Sequence, residues 1–221
     1  LFLIILRHRS LQAFMAYLCA IRQFKIKLEP IYNTSAQKIV HYEALSRFKV
    51  KNTQRFIETL IRNGLLLTHT LLVIDSIYTK QKALPIPISI NVCPSLLRGR
   101  NFSILYRELS NRDCRLLTIE ITENASMYYT SEIYGNVAKL KALDCKISID
   151  DFGTGNNNVA LISKLNPDYL KIDREFVIGL KSDDKKIETL RQLIAMGNTY
   201  RCTVIVEGVE TADSAHLLTT L

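Results

Sequence analysis

An α/β fold organised on a mostly parallel sheet, one strand short of a closed (β/α)8 barrel, is what this sequence predicts. Three observations predict it. Short apolar runs of strand length alternate with helical segments along most of the chain, the pattern of parallel strands joined by right-handed crossovers. Seven such strands can be counted where a closed barrel needs eight, and the chain reaches Leu221 within a helical segment. Polar and ionisable residues gather at the carboxyl ends of those strands, the rim at which barrels place their chemistry.

Composition sets the bounds. The 221 residues, 48% of them apolar, suffice to bury a full core, and the length suits one large α/β domain. A net charge of +8 suits an anionic partner. The Lys and Arg residues are scattered, with no dense run interleaved with aromatics, so a phosphate-bearing small molecule accounts for the charge as well as a nucleic-acid polymer would. The five cysteines, Cys19, Cys93, Cys114, Cys145 and Cys202, include no Cys-x-x-Cys pair and read as reduced thiols of a cytosolic compartment. His8, His41, His69 and His216 fall at no metal-ligand spacing.

Residues 1–9 admit two readings. Leu1–Leu6 is apolar and runs into Arg7-His8-Arg9, too short to cross a bilayer, which takes roughly 20 residues. Apolar then basic is how a transmembrane segment exits into the cytoplasm, which would make residues 1–9 its end and linker. A frayed apolar terminus docked on the domain is the other reading. The domain itself is taken as residues 10–221. Ser10 caps a helix to about Phe24, with Leu11, Phe14, Met15, Leu18 and Ile21 on one stripe.

Lys25 to Ile31 alternates polar and apolar, Asn33-Thr34-Ser35 turns the chain, and Lys38 to Leu45 returns, so the two strands pair as a hairpin. Thr53 to Asn63 is helical with Gly64 as its stop, and Leu65 to Lys82 follows the 3.6-residue period. Pro85 and Pro87 confine the start of a strand through Ile88–Val92. Further strands fall at Leu116–Ile121, Lys146–Asp150, Tyr169–Ile172 and Thr203–Val206. Helices fall near Ser131–Leu143, Asn157–Leu165, Arg174–Leu180 and Asp183–Tyr200.

The centre of the chain is Ile147-Ser148-Ile149-Asp150-Asp151-Phe152-Gly153-Thr154-Gly155. Successive strand residues point to opposite faces, so Asp150 and Asp151 diverge unless the chain turns, and Gly153 and Gly155 supply the turn. An Asx-turn with an N-cap would account for an isolated Asp-Asp-x-Gly. Here, however, the other strands also end in oxygen-bearing or ionisable groups: Glu43 with Arg47, Asn91, Glu120 with Glu123, Lys171 with Asp173, and Glu207 with Glu210. Oxygen ligands from Glu, Asp and Asn suit a hard divalent cation such as Mg²⁺ or Mn²⁺, and the carboxylates are enough for two.

The ordered motifs Glu43-Ala44-Leu45-Ser46-Arg47, Ser89-Ile90-Asn91, Glu120-Ile121-Thr122-Glu123, Asp150-Asp151-Phe152-Gly153-Thr154-Gly155, Lys171-Ile172-Asp173 and Glu207-Gly208-Val209-Glu210-Thr211 resemble the EAL domain, a bacterial cyclic-di-GMP phosphodiesterase. The resemblance runs from about Phe24 to Leu221. It implies a modified (β/α)8 TIM-like barrel with its first strand antiparallel, hydrolysing cyclic-di-GMP to the linear dinucleotide pGpG. It implies that Glu43, Asn91, Glu120 and Asp150 hold one metal ion, and that Asp150 reaches a second completed by Asp151 and Glu207. Lys171 and Glu207 would handle protons or position water, although Lys171 serves equally as a fixed charge beside the acids. Arg47 and Leu45 would meet the substrate, and Glu123 would anchor the loop from Asp150 to Gly155. A homodimer through the barrel and a cytoplasmic domain of an inner-membrane protein are also implied. The alternative is a catalytically inactive module that acts as a cyclic-di-GMP receptor or protein-interaction domain. The sequence departs from the family at Glu29, where a glutamine is usual, at His41, where a glycine is usual, and at Asn156-Asn157-Asn158, where a Tyr-Ser-Ser-like run is usual. The final strand with its Gln-Gly-Tyr signature does not occur in this chain.

Overall fold

A computed structural model of the chain describes residues 24–48, 52–121, 129–154, 159–180 and 183–221. The predicted segment at residues 1–9, the helix to Phe24, Glu123, Gly155 and Asn156–Asn158 therefore lie outside the described residues, Phe24 itself excepted. Seven strands form one sheet in strict chain order: β1 (Lys25–Asn33), β2 (Lys38–Arg47), β3 (Ile88–Val92), β4 (Leu117–Ile121), β5 (Lys146–Phe152), β6 (Tyr169–Ile172) and β7 (Thr203–Val206). The sheet is mixed, with the first strand antiparallel, the connectivity of an incomplete (β/α)8 barrel. The chain falls into two compact units, Leu1–Glu29 with Ala44–Pro85 and Pro30–Glu43 with Ile86–Leu221.

In the first unit, α1 (Thr53–Arg62) starts where the sequence places it, because the Asn52 side chain accepts a hydrogen bond from the Arg55 N–H at 2.9 Å. Gly64, at φ +67°, ends that turn, and α2 (Leu66–Gln81) follows. His69 of α2 is buried, lies 3.1 Å from the Ser46 hydroxyl and is ringed by Phe24 and Phe48. Burial lowers its pKa to about 4. Among the described residues no single helix is long and apolar enough to cross a membrane.

In the second unit the hairpin turn is closed by Asn33, whose side chain accepts from the Ala36 N–H at 2.7 Å. Strands β3 to β7 are parallel throughout, with registers Ile88↔Leu117, Ile119↔Ile147, Ile149↔Leu170 and Leu170↔Val204. One set of alternate residues is purely apolar and buried: Ile88, Ile90 and Val92, then Leu117, Ile119 and Ile121, then Ile147 and Ile149, then Leu170 and Ile172. Period-two alternation places the intervening polar residues on the opposite face. The helices bury apolar stripes of their own, Leu105 and Leu109 on α3 (Gly99–Ser110) and Ile133, Val137 and Leu140 on α4 (Ser131–Lys141). After α5 (Val159–Leu165) come α6 (Asp184–Thr199) and α7 (Ala212–Thr219).

Three expectations change. The sequence predicts no helix between Val92 and Leu116, where α3 stands; its N-cap position, Arg98, offers no capping side chain and Gly99 opens the helix, so the usual start signals are missing. The helix expected at Arg174–Leu180 reduces to a 3₁₀ turn, Arg174–Phe176, held by Asp173 accepting from the Glu175 N–H at 2.7 Å. Helix α7 ends at Thr219 and does not run to Leu221. Cys93, Cys114, Cys145 and Cys202 are free cysteines, the last three of them buried.

Helix α6 lies so close to β7 that a Cβ at Gly197 would collide with Val204. Two effects compete in Gly197→Ala. Helix propensity favours Ala by about 1 kcal/mol, whereas overpacking against a branched side chain costs about 1–3 kcal/mol. The packing cost is expected to win, and thermal unfolding should show a lower Tm for Gly197→Ala; a raised Tm would show that α6 can lift away from the sheet freely.

Candidate metal centre

Strand periodicity assembles this site. His41 and Glu43 on β2, Ser89 and Asn91 on β3, Thr118 and Glu120 on β4, Ser148 and Asp150 on β5, and Tyr169 and Lys171 on β6 are each two residues apart, so each pair shares one face of the sheet. The later member sits at the carboxyl end and the earlier one a layer beneath. Pairing of Asn91 with Glu120 and of Glu120 with Ser148 keeps the layers aligned between neighbouring strands.

Adjacent acids would point to opposite faces of a regular strand, and a β-bulge prevents this. Ile149 pairs with Leu170 and Phe152 with Ile172, so Asp150 and Asp151 together oppose the single residue Lys171. Asp151 itself takes the left-handed conformation, φ +55°. The turn thus begins two residues before Gly153, the first of the glycines expected to supply it. Gly153, at φ +102°, has a separate reason to be glycine: a Cβ there would lie 2.8 Å from the Phe176 ring.

Lys171 is the hub. Its ammonium, 1% exposed as a residue, lies 3.0 Å from Glu43, 3.1 Å from Glu120, 2.9 Å from Asp150 and 2.6 Å from Glu207. Burial alone would lower its pKa, but Glu120, Asp150, Glu43 and Glu207 outweigh burial and hold the amine charged. Burial pushes Glu120 up to about 8, with Lys171 pulling it back and Glu43 and Asp150 adding to the rise. Glu207 is raised, first by burial and against the pull of Lys171. Asp151 rises to about 6 through burial and then through Asp150, Asp173 and Glu207. The shifts of Glu120, Glu207 and Asp151 all run towards the neutral form, through burial first and then through neighbouring carboxylates.

Most of the predicted site residues converge in this unit. Asn91 donates from Nδ2 to Glu43 at 3.0 Å, and Asp150, Asp151 and Glu207 each offer an oxygen within 4.8 Å of the other two. The latter three are the residues assigned to the second cation. Arg47 is exposed at the end of β2, four residues beyond Glu43 on the same strand, and Leu45 is half-buried. Sequence reasoning missed the layer beneath. His41 is buried edge-on to Tyr169 at 5.4 Å, its Nε2 without a hydrogen-bond partner among the described residues and its pKa lowered to about 4 by burial and then by Lys171. Ser89 donates to the Tyr42 carbonyl at 3.5 Å, and the Ser148 hydroxyl is buried on the β5 residue that pairs with Glu120. Counting two residues back from each rim position would have found them.

The donor set fits hard divalent cations. It is all oxygen, and Asp150 Oδ1 is buried yet receives no aligned hydrogen bond among the described residues, Lys171 lying close but off-axis. Fold and rim together define an α/β barrel-type protein with an oxygen-rich cation cradle. The chain belongs to the EAL domain family, whose model matches residues 11–221. It is 86% identical over 220 residues to the cyclic di-GMP phosphodiesterase TpdA of Vibrio parahaemolyticus, covering 100% of this chain and 38% of that protein. The chain thus spans little more than a third of that relative's length. Among solved structures it is similar to the PaMucR phosphodiesterase in complex with c-di-GMP, at 23% identity and TM-score 0.80, covering 95% of this chain and 91% of that one. It is also similar to Klebsiella pneumoniae BlrP1 in a manganese and cyclic-di-GMP complex, at 20% identity and TM-score 0.75, covering 90% and 52%. These two likenesses establish the fold.

A cation held by Asp150, Asp151 and Glu207 would need the Asp151 carboxylate ionised, so Mn²⁺ affinity is expected to climb as pH rises through about 6. On metal-free folding the same shift acts the other way. With the folded pKa above the unfolded 3.8, the native state holds the proton longer, and the contribution of Asp151 to stability falls as pH rises from about 3.8 to about 6. Calorimetric Mn²⁺ titrations on both sides of about pH 6 check the rise in affinity; an affinity independent of pH would contradict it.

Proposed function

We propose that this chain is a metal-dependent phosphodiesterase domain that hydrolyses cyclic-di-GMP to pGpG. The observation that carries the chemistry is the convergence of Glu43, Glu120, Asp150 and Glu207, with Asn91 and Asp151, at consecutive strand ends. The 86% identity to TpdA supports the substrate.

When bound, two divalent ions, Mg²⁺ or Mn²⁺, supply Lewis-acid polarisation of the phosphoryl oxygens and lower the pKa of water. In this reading Glu43, Asn91, Glu120 and Asp150 hold one, and Asp150, Asp151 and Glu207 hold the other. Lys171 and Glu207 position the water and manage its proton. Arg47 grips the substrate phosphate through its planar fork, with Leu45 beside the nucleotide, and Glu123 anchors the loop after Asp150. The assembly works as a homodimer in the cytoplasm, as a domain of an inner-membrane protein; Leu1–Leu6 followed by Arg7-His8-Arg9 motivates the anchor.

Incubation of the full-length protein with cyclic-di-GMP and Mg²⁺ or Mn²⁺ should yield pGpG, resolved by chromatography. Asp150→Ala should abolish turnover by removing a shared ligand, while Glu207→Gln should keep substrate binding and lower kcat by about 10²–10⁴-fold. Equal turnover in EDTA, or full activity in Asp150→Ala, would contradict the reading. Cyclic-di-GMP binding without any turnover in the unaltered protein would favour a receptor.

A further inference from the structure

We infer that Lys171 is a tethered cation that occupies the carboxylate cluster when metal is absent, and that divalent ions bind by taking its place among the oxygens, so that this one side chain sets the metal affinity of the site. The inference rests on the cluster being a cation centre and goes beyond it.

Geometry carries the argument. Four carboxylates, on β2, β4 and β5 and just beyond β7, bring an oxygen to within 2.6–3.1 Å of one nitrogen. An ammonium has three N–H donors, so four acceptors exceed what it can satisfy. Aligned bonds reach Glu43 and Glu120, whereas Asp150 Oδ1 is close and unsatisfied. Anions set around a centre that aligns with only some of them resemble the shell of a simple cation.

A hard divalent ion binds oxygen at about 2.0–2.6 Å. An ion on the oxygen that now faces Nζ at 2.9 Å would stand within about 5.5 Å of the ammonium, and the two like charges share Glu43, Glu120, Asp150 and Glu207 as partners. The full contact set therefore cannot serve both at once. Charge agrees: Glu43, Glu120, Asp150, Asp151 and Glu207 carry five negative charges when ionised and Lys171 one positive, and the remaining four equal those of two divalent ions. Lys171 is shifted by the metal and stays in the site. Because binding free energies are reciprocal, a lysine that lowers metal affinity must itself be weakened by metal.

The experiment compares the unaltered full-length protein with Lys171→Met and Lys171→Gln, reading Mn²⁺ affinity by calorimetry and Tm in EDTA and in saturating Mn²⁺. Both variants should bind Mn²⁺ at least about tenfold more tightly. They should melt below the unaltered protein in EDTA and converge with it in Mn²⁺. Mn²⁺ affinity that is unchanged or weaker would overturn the inference. Asp150→Ala separates the two levels: if it binds Mn²⁺ as well as the unaltered protein, the cation-centre reading itself fails. Should the lysine variants not fold in EDTA, ¹⁵N NMR of the unaltered protein decides. A slowly exchanging lysine ammonium signal should be present in EDTA and shift in step with Mg²⁺ binding, and one that stays unmoved at Mg²⁺ saturation would overturn the inference.

Discussion

One buried ammonium among four carboxylates is the interaction on which this structure turns. Removing Lys171 would leave four crowded carboxylates without their cation in a largely buried site, which costs several kcal/mol. The four acids lie on or just beyond strands spread along the chain, Lys171 and Glu43 being 128 positions apart, so their association ties those strand ends together. Stability and chemistry are opposed here. Burial first, and then the neighbouring acids, raise the pKa values of Glu120 and Asp151, while surplus negative charge is what makes such a cluster suited to cations.

The backbone makes that cluster cheap to build. Alternate residues of parallel strands serve two masters without conflict, an apolar set facing the helices and a polar set facing the site. The single irregularity, the bulge at Asp150–Asp151, is where regular geometry would have sent one acid to the wrong side. A local break in the hydrogen-bond ladder thereby brings a second oxygen to the site without a further strand.

Much of this was legible in the sequence. All seven strands were, because their apolar alternation and flanking Gly, Pro and Asn signals are local. So was the rim, because a carboxylate after a strand-length apolar run has few other places to go. Helix α3 was not, since Arg98 and Gly99 provide no capping signal and its burial depends on partners distant in sequence. Nor was the bulge, a property of which residues pair across strands. The burial of Lys171 was hidden for another reason: lysine is among the residues least often buried, and only the convergence of four acids in space reverses that expectation.

The account stands or falls on whether these oxygens hold a pair of cations with Asp150 between them. Anomalous diffraction from crystals grown with Mn²⁺ measures this directly. The account predicts two anomalous peaks, one against Glu43, Asn91 and Glu120 and one against Asp151 and Glu207, both within ligand distance of Asp150. Peaks elsewhere on the protein, or none at the strand ends, would contradict it.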